Sequence, residues 1–420
     1  MDIVLNLQFN VDNVGIVFSI LSAIVFITAG VFSFEYMKHE GHHLRYTIFY
    51  VVAFFVFQAL CFAGNLITYY LFFEMLTITT FPLVLHNGSK EATMAGLKYL
   101  FYSLCGAYMA LFGLYFSASQ ATFKLGGNMS DTINAVSASG KSGLYLLCVT
   151  LMIFGFGVKA GMFPMHAWLP TAHPVAPAPA SAVLSAIIVK AGVLGIIRTI
   201  FYVYGADFVK GSYVQILWMT ITLLTVFMGS MLAFREDGLK KRLAYSTVSQ
   251  VSYILFGLAT FTETGFTGAV LQTAAHGVAK CGLFLCAGAI IYRTRKTKVS
   301  ELRGIGKQMP VTMVCFTILS LSLIGIPPTG GFVSKWYLAM GSLTSGISVY
   351  SWLGPVILLI SALLTAGYLL PVSMRGFFPG DDFDEESCEK YSFNILLDGP
   401  IILLTILAVI IGLFPTYIWR

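Results

Sequence analysis

The sequence predicts an all-α, polytopic membrane protein with about twelve transmembrane helices, and three observations carry that expectation. The 420 residues are 57% hydrophobic and only 10% charged, with a mean hydropathy of +0.82; a soluble domain has about 45–50% apolar and about 25% charged residues. Twelve apolar stretches are each long enough to cross roughly 30 Å of hydrocarbon. When these stretches alternate across a bilayer, sixteen lysines and arginines fall on one side and five on the other. A chain with so few polar atoms cannot cover a water-facing surface. That excludes a soluble enzyme, a nucleic-acid binder and a disordered scaffold together, so the net charge of +6 does not point to polyanion partners.

The stretches are 13–34, 46–64, 66–85, 96–117, 143–168, 181–203, 213–234, 242–261, 265–292, 311–341, 352–374 and 396–419. They are continuous rather than alternating, which predicts helices and not a barrel. An even number puts both termini on one side, and the positive-inside bias places that side outside, in a multi-pass cell-membrane protein. The segments 293–307 and 375–391, with the acidic run DDFDEE at 381–386, then face inside. The opening MDIVLNLQFNVDN is polar and acidic without a basic n-region, so no cleavable signal is expected. Cys61, Cys105, Cys148, Cys281, Cys286, Cys315 and Cys388 show no CxxC or Cys/His ligand spacing. Six of them lie in apolar runs and read as small core residues, with no metal or cofactor site expected.

Four lysines lie within predicted spans: Lys159, Lys190, Lys280 and Lys335, with Glu74 the matching acid. A lysine at the helix centre costs about 2.5–3.5 kcal/mol on insertion scales. Four together would cost roughly 10–14 kcal/mol, comparable with the whole stability of a typical fold. Snorkelling to an interface is the bland explanation; it fits Lys159 and Lys190 poorly, since apolar residues flank both. Intramembrane ionisable residues mark ion or proton pathways.

Two spans are discontinuous. The tenth reads ILSLSLIGIPPTGGFVSKWYLAM, with Pro327, Pro328, Gly330 and Gly331 as helix breaks before Lys335. The fifth reads LMIFGFGVKAGMFPMHAWLP, with Gly157 and Pro164 as breaks around Lys159. Proline removes a donor and glycine loosens the helix, freeing carbonyls that only protein or a hydrated cavity can satisfy. A single break could be a plain kink. Two, each beside a lysine and five spans apart, follow the logic of transporters built from inverted repeats. The division expected is 1–45, an N-terminal segment and first span; 46–203, a first five-helix repeat; 213–374, a second; and 375–420, an inner acidic loop and last span. Each repeat carries one discontinuous helix.

After the fifth span, HAWLPTAHPVAPAPASA is proline-rich and uncharged; it reads as a rigid connector, with His166 and His173 as further relay candidates. In AAHGVAKCGLF, His276 and Lys280 are four apart and share a helix face. A buried His–Lys face suits proton relay, whereas a metal site would want more ligands.

Five segments resemble one family in order: LFFEMLT around Glu74, the run GFGVKAGMFPMHAWLPTAHPVAPAPASAVLSAIIVKAG, KKRLAYSTVSQVSYI, AAHGVAKCGLFL and GIPPTGGFVSKWYLA. The resemblance is to antiporter-like membrane subunits: the large proton-pumping subunits of respiratory complex I, their membrane-bound hydrogenase relatives, and the D-type subunit of Mrp sodium/proton antiporters. It implies that Glu74 is a gating glutamate paired with Lys159, that Lys190 is the next relay lysine, that His276 with Lys280 forms the central stretch and that Lys335 is terminal. The implied partners are other membrane subunits and the lipid bilayer, and the cargo is protons or sodium, with no nucleic acid. No haem, iron–sulfur or nucleotide motif stands in the chain, so the resemblance implies a subunit of an ion-pumping oxidoreductase without a redox centre or cofactor of its own.

Compared with the usual fourteen spans, the two N-terminal ones are expected to be missing, along with the lateral helix of the largest complex I subunit. Lys335 excludes the variant with a terminal glutamate. Where some members have a histidine, this chain has Gln250, so a relay there needs water or hydroxyls such as Ser246 and Ser249. A quinone-binding redox subunit is the third class the aromatic content of 15% allows.

Overall fold

In the computed structural model, residues 7–117, 136, 138–380, 383 and 390–419 are described. Lys124, Cys388, Arg420 and the run 381–386, apart from Phe383, lie outside them. The architecture is all helical. Its long elements are α1 (Asn13–Tyr36), α2 (His43–Cys61), α3 (Leu66–Val84), α4 (Lys90–Ser117) and α5 (Ser142–Lys159). There follow α6 (Ala178–Tyr204), α7 (Tyr213–Arg235), α8 (Leu239–Ala259) and α9 (Glu263–Thr294). The last four are α10 (Pro310–Ile324), α11 (Gly330–Leu343), α12 (Ser348–Phe377) and α13 (Ile395–Leu413). The only extended pairings among the described residues are two isolated bridges, Phe9 with Ala63 and Gly238 with Lys298.

Side chains set several helix starts. Asp12, Asn65, Thr262 and Asn394 accept from backbone N–H groups of the first turns of α1, α3, α9 and α13, satisfying donors that hydrocarbon would leave unmet.

Among the described residues, ten helices are long and apolar enough to span a bilayer, against the twelve stretches expected. The two others have different physical reasons for falling short. In α8, Lys240, Lys241 and Arg242 are followed by Ser246, Thr247, Ser249, Gln250 and Ser252, so its polarity exceeds that of a lipid-facing helix. Its neighbours α7, α9 and the short helix Leu169–Val175 enclose it instead. The tenth stretch is two half-helices, α10 and α11, separated at 325–329.

Burial sorts the helices into layers. Nearly every residue of α6, α8 and α9 is buried. The helices α1–α4, α7, α12 and α13 each present a face of large exposed apolar residues, such as Phe34, Phe55, Ile78, Phe101 and Leu363. Those faces match a lipid environment, and the three inner helices form the protein-lined core.

Both discontinuities exist, with shifted boundaries. Gly157 is inside α5, where its missing side chain leaves room for Met162; the break begins after Lys159 and includes Gly161, at φ +77°, and Pro164. Pro327 and Pro328 lie in the second break, whereas Gly330 and Gly331 open α11. A Cβ on Gly331 would sit 1.8 Å from the Ser322 carbonyl oxygen. The two halves therefore pass too closely for any side chain there.

Five of the six described cysteines are buried, and all six are free thiols. Two bidentate ion pairs pin helix ends. Arg198, near the C-terminal end of α6, donates to both Asp12 oxygens at 2.7 and 2.5 Å and to the Cys61 carbonyl. Arg293, at the opposite end of α9, donates to Asp398 at 2.9 and 3.5 Å, and Thr312 adds a bond to the same carboxylate. In the nearby loops, two bonds from Ser300 hold the Asp237 carboxyl below the usual range. This tie is present at neutral pH and fades as pH falls through the lowered value.

Asp398 and Arg293 are both shielded, at 2% and 9% side-chain exposure. Breaking such a pair by removing one partner costs about 3–5 kcal/mol. Asp398→Ala should therefore lower the denaturant midpoint of the detergent-solubilised protein, while Lys38→Ala, in an exposed pair with Glu35, should leave it unchanged.

Candidate functional site: a buried lysine and histidine row

The first member of the row is placed by close packing of α4 on α5. A Cβ on Gly155 would lie 2.5 Å from the Gly106 carbonyl, so both helices need glycine at this crossing. Lys159 ends α5, where free carbonyls favour a cation. It is buried, and its Nζ donates to Thr77 Oγ1 at 2.8 Å and to the Tyr99 hydroxyl at 2.7 Å. The Tyr99 ring centroid is 4.8 Å away, and Tyr99 also shares a hydrogen bond with Thr80.

Glu74 sits on α3 three residues before Thr77. It makes no contact with Lys159 within 4.0 Å; the four ion pairs among the described residues lie elsewhere. The shielded Glu74 Oε1 has no hydrogen-bond partner. Two hydroxyls thus carry the ammonium in place of the pairing that the family resemblance implies, leaving the carboxylate apart in this conformation.

The next group is reached through α6. Its segment Leu184–Ile188 is π-helical, a wide turn that interrupts the regular hydrogen-bond ladder. Lys190 follows directly, fully buried, with its Nζ on the Ala186 carbonyl and 2.7 Å from Nδ1 of His276. An ammonium has only donors, so Nδ1 accepts and the imidazole hydrogen belongs on Nε2. That Nε2 is buried without a partner. One turn further along α9, Lys280 donates to the Leu243 carbonyl at 2.8 Å and to Ser246 Oγ. Ser249, the other hydroxyl considered from the sequence, faces a different cluster, with Ser230 and Ser361.

Lys335 sits against the second break. When α10 stops at Ile324, its last carbonyls lose their helical partners. Lys335 Nζ donates to the Leu323 and Ile324 carbonyls at 2.5 and 2.9 Å and lies 5.0 Å from the Tyr253 ring centroid. It also lines a cavity of about 200 Å³ with Trp336, Pro355 and Leu358.

The row therefore gathers Lys190, His276 and Lys280 in one buried cluster, with Lys159 and Lys335 flanking it at the two helix breaks. His173 is fully buried beside Phe284 with both nitrogens unpartnered, and His166 Nδ1 is likewise unpartnered. Neither histidine hydrogen-bonds to a lysine of the row.

Sequence reading missed an amide clamp. Gln272 Nε2 donates to Gln250 Oε1 at 2.9 Å, and Ser334 Oγ donates to Gln272 Oε1 at 2.5 Å, tying α8, α9 and α11 together. The available signal was the spacing on α9, where Gln272, His276 and Lys280 recur every four residues. Among the described residues no group of three or more His, Cys, Asp or Glu side chains could hold a metal.

Residues 63–365, spanning all six candidate pathway groups, match the transmembrane family described as NADH:quinone oxidoreductase/Mrp antiporter. The chain belongs to this family. It is 33% identical over 367 residues to the NADH-quinone oxidoreductase subunit N of Desulforudis audaxviator (strain MP104C), covering 84% of this chain and 71% of that protein. It is 28% identical to the D-type subunit of the Na(+)/H(+) antiporter of Bacillus subtilis (strain 168), covering 93% and 77%. The fold is similar to a chain of the membrane-bound sulfane sulfur reductase, an archaeal respiratory membrane complex, with a TM-score of 0.87 at 24% identity, covering 100% and 82%. This family member is thus a multi-pass membrane protein with an antiporter-like fold.

The placement of Lys190 depends on Gly192, whose added Cβ would meet the Phe156 carbonyl oxygen at 2.2 Å and the Ala160 nitrogen at 2.7 Å. Gly192→Ala should push α6 off α5 and cost about 1–3 kcal/mol, the usual range for overpacking. The open position Gly143 should accept alanine without loss. Unfolding midpoints of the two variants in detergent check this contrast.

Proposed function

We propose that this chain is a proton-translocating membrane subunit of a complex I-like or membrane-bound hydrogenase-type respiratory complex. Protons move along Glu74, Lys159, Lys190, His276, Lys280 and Lys335 in response to redox-driven changes in partner subunits. The observation that carries this reading is the direct Lys190–His276 contact, with Lys280 one turn away, in fully buried protein. Packing alone gives no reason to bury three basic groups together, and proton relays give a direct one. Glu74 and Lys159 supply the switch: a carboxylate that moves onto the ammonium stabilises its charged form, and one that withdraws releases the proton. The relatives' names support this membership in a multisubunit assembly.

A second reading has its own support in the similarity over 93% of this chain to a sodium/proton antiporter component. On that reading sodium is exchanged for protons and no redox partner drives the cycle. Dissipation of an imposed gradient in vesicles by sodium separates the two.

In either case the two repeats are 46–203 and 213–374, each centred on one broken helix, with the first and last spans outside them. The termini face outside. Support for the alternation comes from the loop contacts: Leu239 bonds to Thr297, Gly304 to Arg375 and Tyr391 to Gln308, gathering the lysine-rich connections at one end. With a single cysteine introduced at each position in turn, labelling of intact cells should modify position 2 and spare position 296. The reverse pattern overturns the orientation.

Lys159→Arg should stop coupled translocation while leaving the complex assembled, because guanidinium stays protonated and cannot relay. Glu74→Ala should do the same by removing the switch. Each loss should be at least about a hundredfold, the lower end of what a positioned proton-transfer group contributes. Proton uptake into vesicles, per assembled complex, is the measurement; a parental rate in Lys159→Arg rules out a relay role for Lys159.

A further inference from the structure

At the end of the bundle opposite the lysine-rich connections, four segments meet around a cavity of about 540 Å³. Helix α8 starts among those connections, where Leu239 bonds to Thr297, and runs out at Ala259. The chain then turns through Phe261 into α9. Phe261, Glu263, Phe266 and Thr267 line the cavity from this turn and the start of α9, Phe201 from the end of α6, and Trp419 from beyond α13. No member of the lysine and histidine row lines it.

The four aromatic side chains form a continuous wall. The Phe201 ring centroid lies 5.9 Å from that of Phe261 and 5.0 Å from that of Phe266, and Phe266 lies 5.7 Å from Trp419. Each ring packs on the core and stays partly exposed. Phe261 holds its place at φ +50°, a left-handed conformation that helix C-termini usually give to glycine and that bulky residues rarely adopt. The turn by itself gives no reason for a ring there. One carboxylate stands in this wall. Glu263 is exposed and enters none of the four ion pairs among the described residues. Phe266 and Thr267, three and four residues further on, share its face of α9.

We propose that this cavity binds the headgroup of a membrane lipid carrying a primary ammonium, phosphatidylethanolamine, from the leaflet at this end of the bundle. Aromatic faces attract a cation through the ring quadrupole. The Glu263 carboxylate supplies the opposite charge and accepts the ammonium N–H groups. A choline headgroup has no N–H to donate and gains only the rings. An anionic headgroup meets a like charge at Glu263, and a hard metal ion needs several oxygen ligands where this lining offers mostly rings. The helix ends of α6, α8 and α9 place the cavity where spans meet headgroups, and the rings that hold the ammonium also cover the first carbons behind it. A lipid seated there ties α6, the start of α9 and the segment after α13 together.

Aromatic residues collect at membrane interfaces without choosing a lipid, and an acid in a first helical turn also suits the helix dipole; the test separates these roles. The assembled complex in detergent is titrated with dihexanoyl phosphatidylethanolamine, and bound lipid is counted by native mass spectrometry. The difference between parent and variant isolates this site. Glu263→Gln and Phe266→Leu should each weaken binding about fivefold or more. Trp352→Leu, at an exposed aromatic elsewhere on the surface, should leave it unchanged. The choline lipid should bind the parent about fivefold or more weakly, and the glycerol lipid should not compete. Glu263 is exposed, so Glu263→Gln should keep the parental melting midpoint without lipid, which sets lost binding apart from a folding defect. Parental affinity in Glu263→Gln, or equal binding of the three lipids, overturns the proposal. If free ethanolamine displaces the lipid at equal concentration, the site takes a dissolved amine and the lipid assignment falls. The counts involve no proton flux, so they stand or fall apart from the relay reading.

Discussion

An ammonium group inside a membrane-spanning bundle has to be met by acceptors that the protein itself supplies, because hydrocarbon has none. Four lysines meet that requirement in this chain in four ways. Lys159 takes two hydroxyls, Lys190 a carbonyl and an imidazole, Lys280 a carbonyl and a hydroxyl, and Lys335 two carbonyls at a helix end. None is tied to a carboxylate. Neutral acceptors stabilise a buried charge without locking it, which leaves each lysine able to give its proton away when a neighbour changes.

The irregular backbone follows from the same requirement. A regular helix occupies one lone pair of each carbonyl, so wholly free acceptors are found where it ends or widens, whereas Lys280 shares the already bonded Leu243 carbonyl inside α8. Lys335 uses the carbonyls freed where α10 stops, and Lys190 uses one within the π-helical turn of α6. Lys159 stands at the terminus of α5, beside the other break. Carboxylate-paired charges are kept at the ends of the bundle. Arg198 with Asp12 and Arg293 with Asp398 fasten α6 to α1 and α9 to α13, where they hold position and take no part in the buried row.

The polar core also explains the arrangement of layers. Helix α8 carries too many hydroxyls, amides and cations to face lipid, and enclosure by its neighbours is what permits its sequence. The polar side chains of α8, α9 and α12 then bond to one another inside the bundle. Lys280 to Ser246 and Gln272 to Gln250 are such contacts. Glycine sets how close the helices can come: Gly155 against α4 and Gly192 against α5 bring the lysine-bearing segments into reach of their partners.

Much of this was legible in the sequence, and the limit has a physical cause. Hydropathy and loop charge determined a helical membrane protein; the cost of a charge in hydrocarbon singled out Glu74, Lys159, Lys190, Lys280 and Lys335; the four-residue spacing put His276 with Lys280; and proline and glycine located both helix breaks. These are properties of a residue and its near neighbours along the chain. Sequence overcounted the helices apolar enough to span, because α8 is sheltered by other helices. It placed Gly157, Gly330 and Gly331 in the breaks, although their helices run through or begin at them. Which partner each lysine holds was decided only by the tertiary structure. Thr77 and Tyr99 are remote from Lys159 in sequence, as His276 is from Lys190 and Ser246 from Lys280. Helix crossing brings such groups within hydrogen-bond reach, and periodicity within any one helix does not encode it.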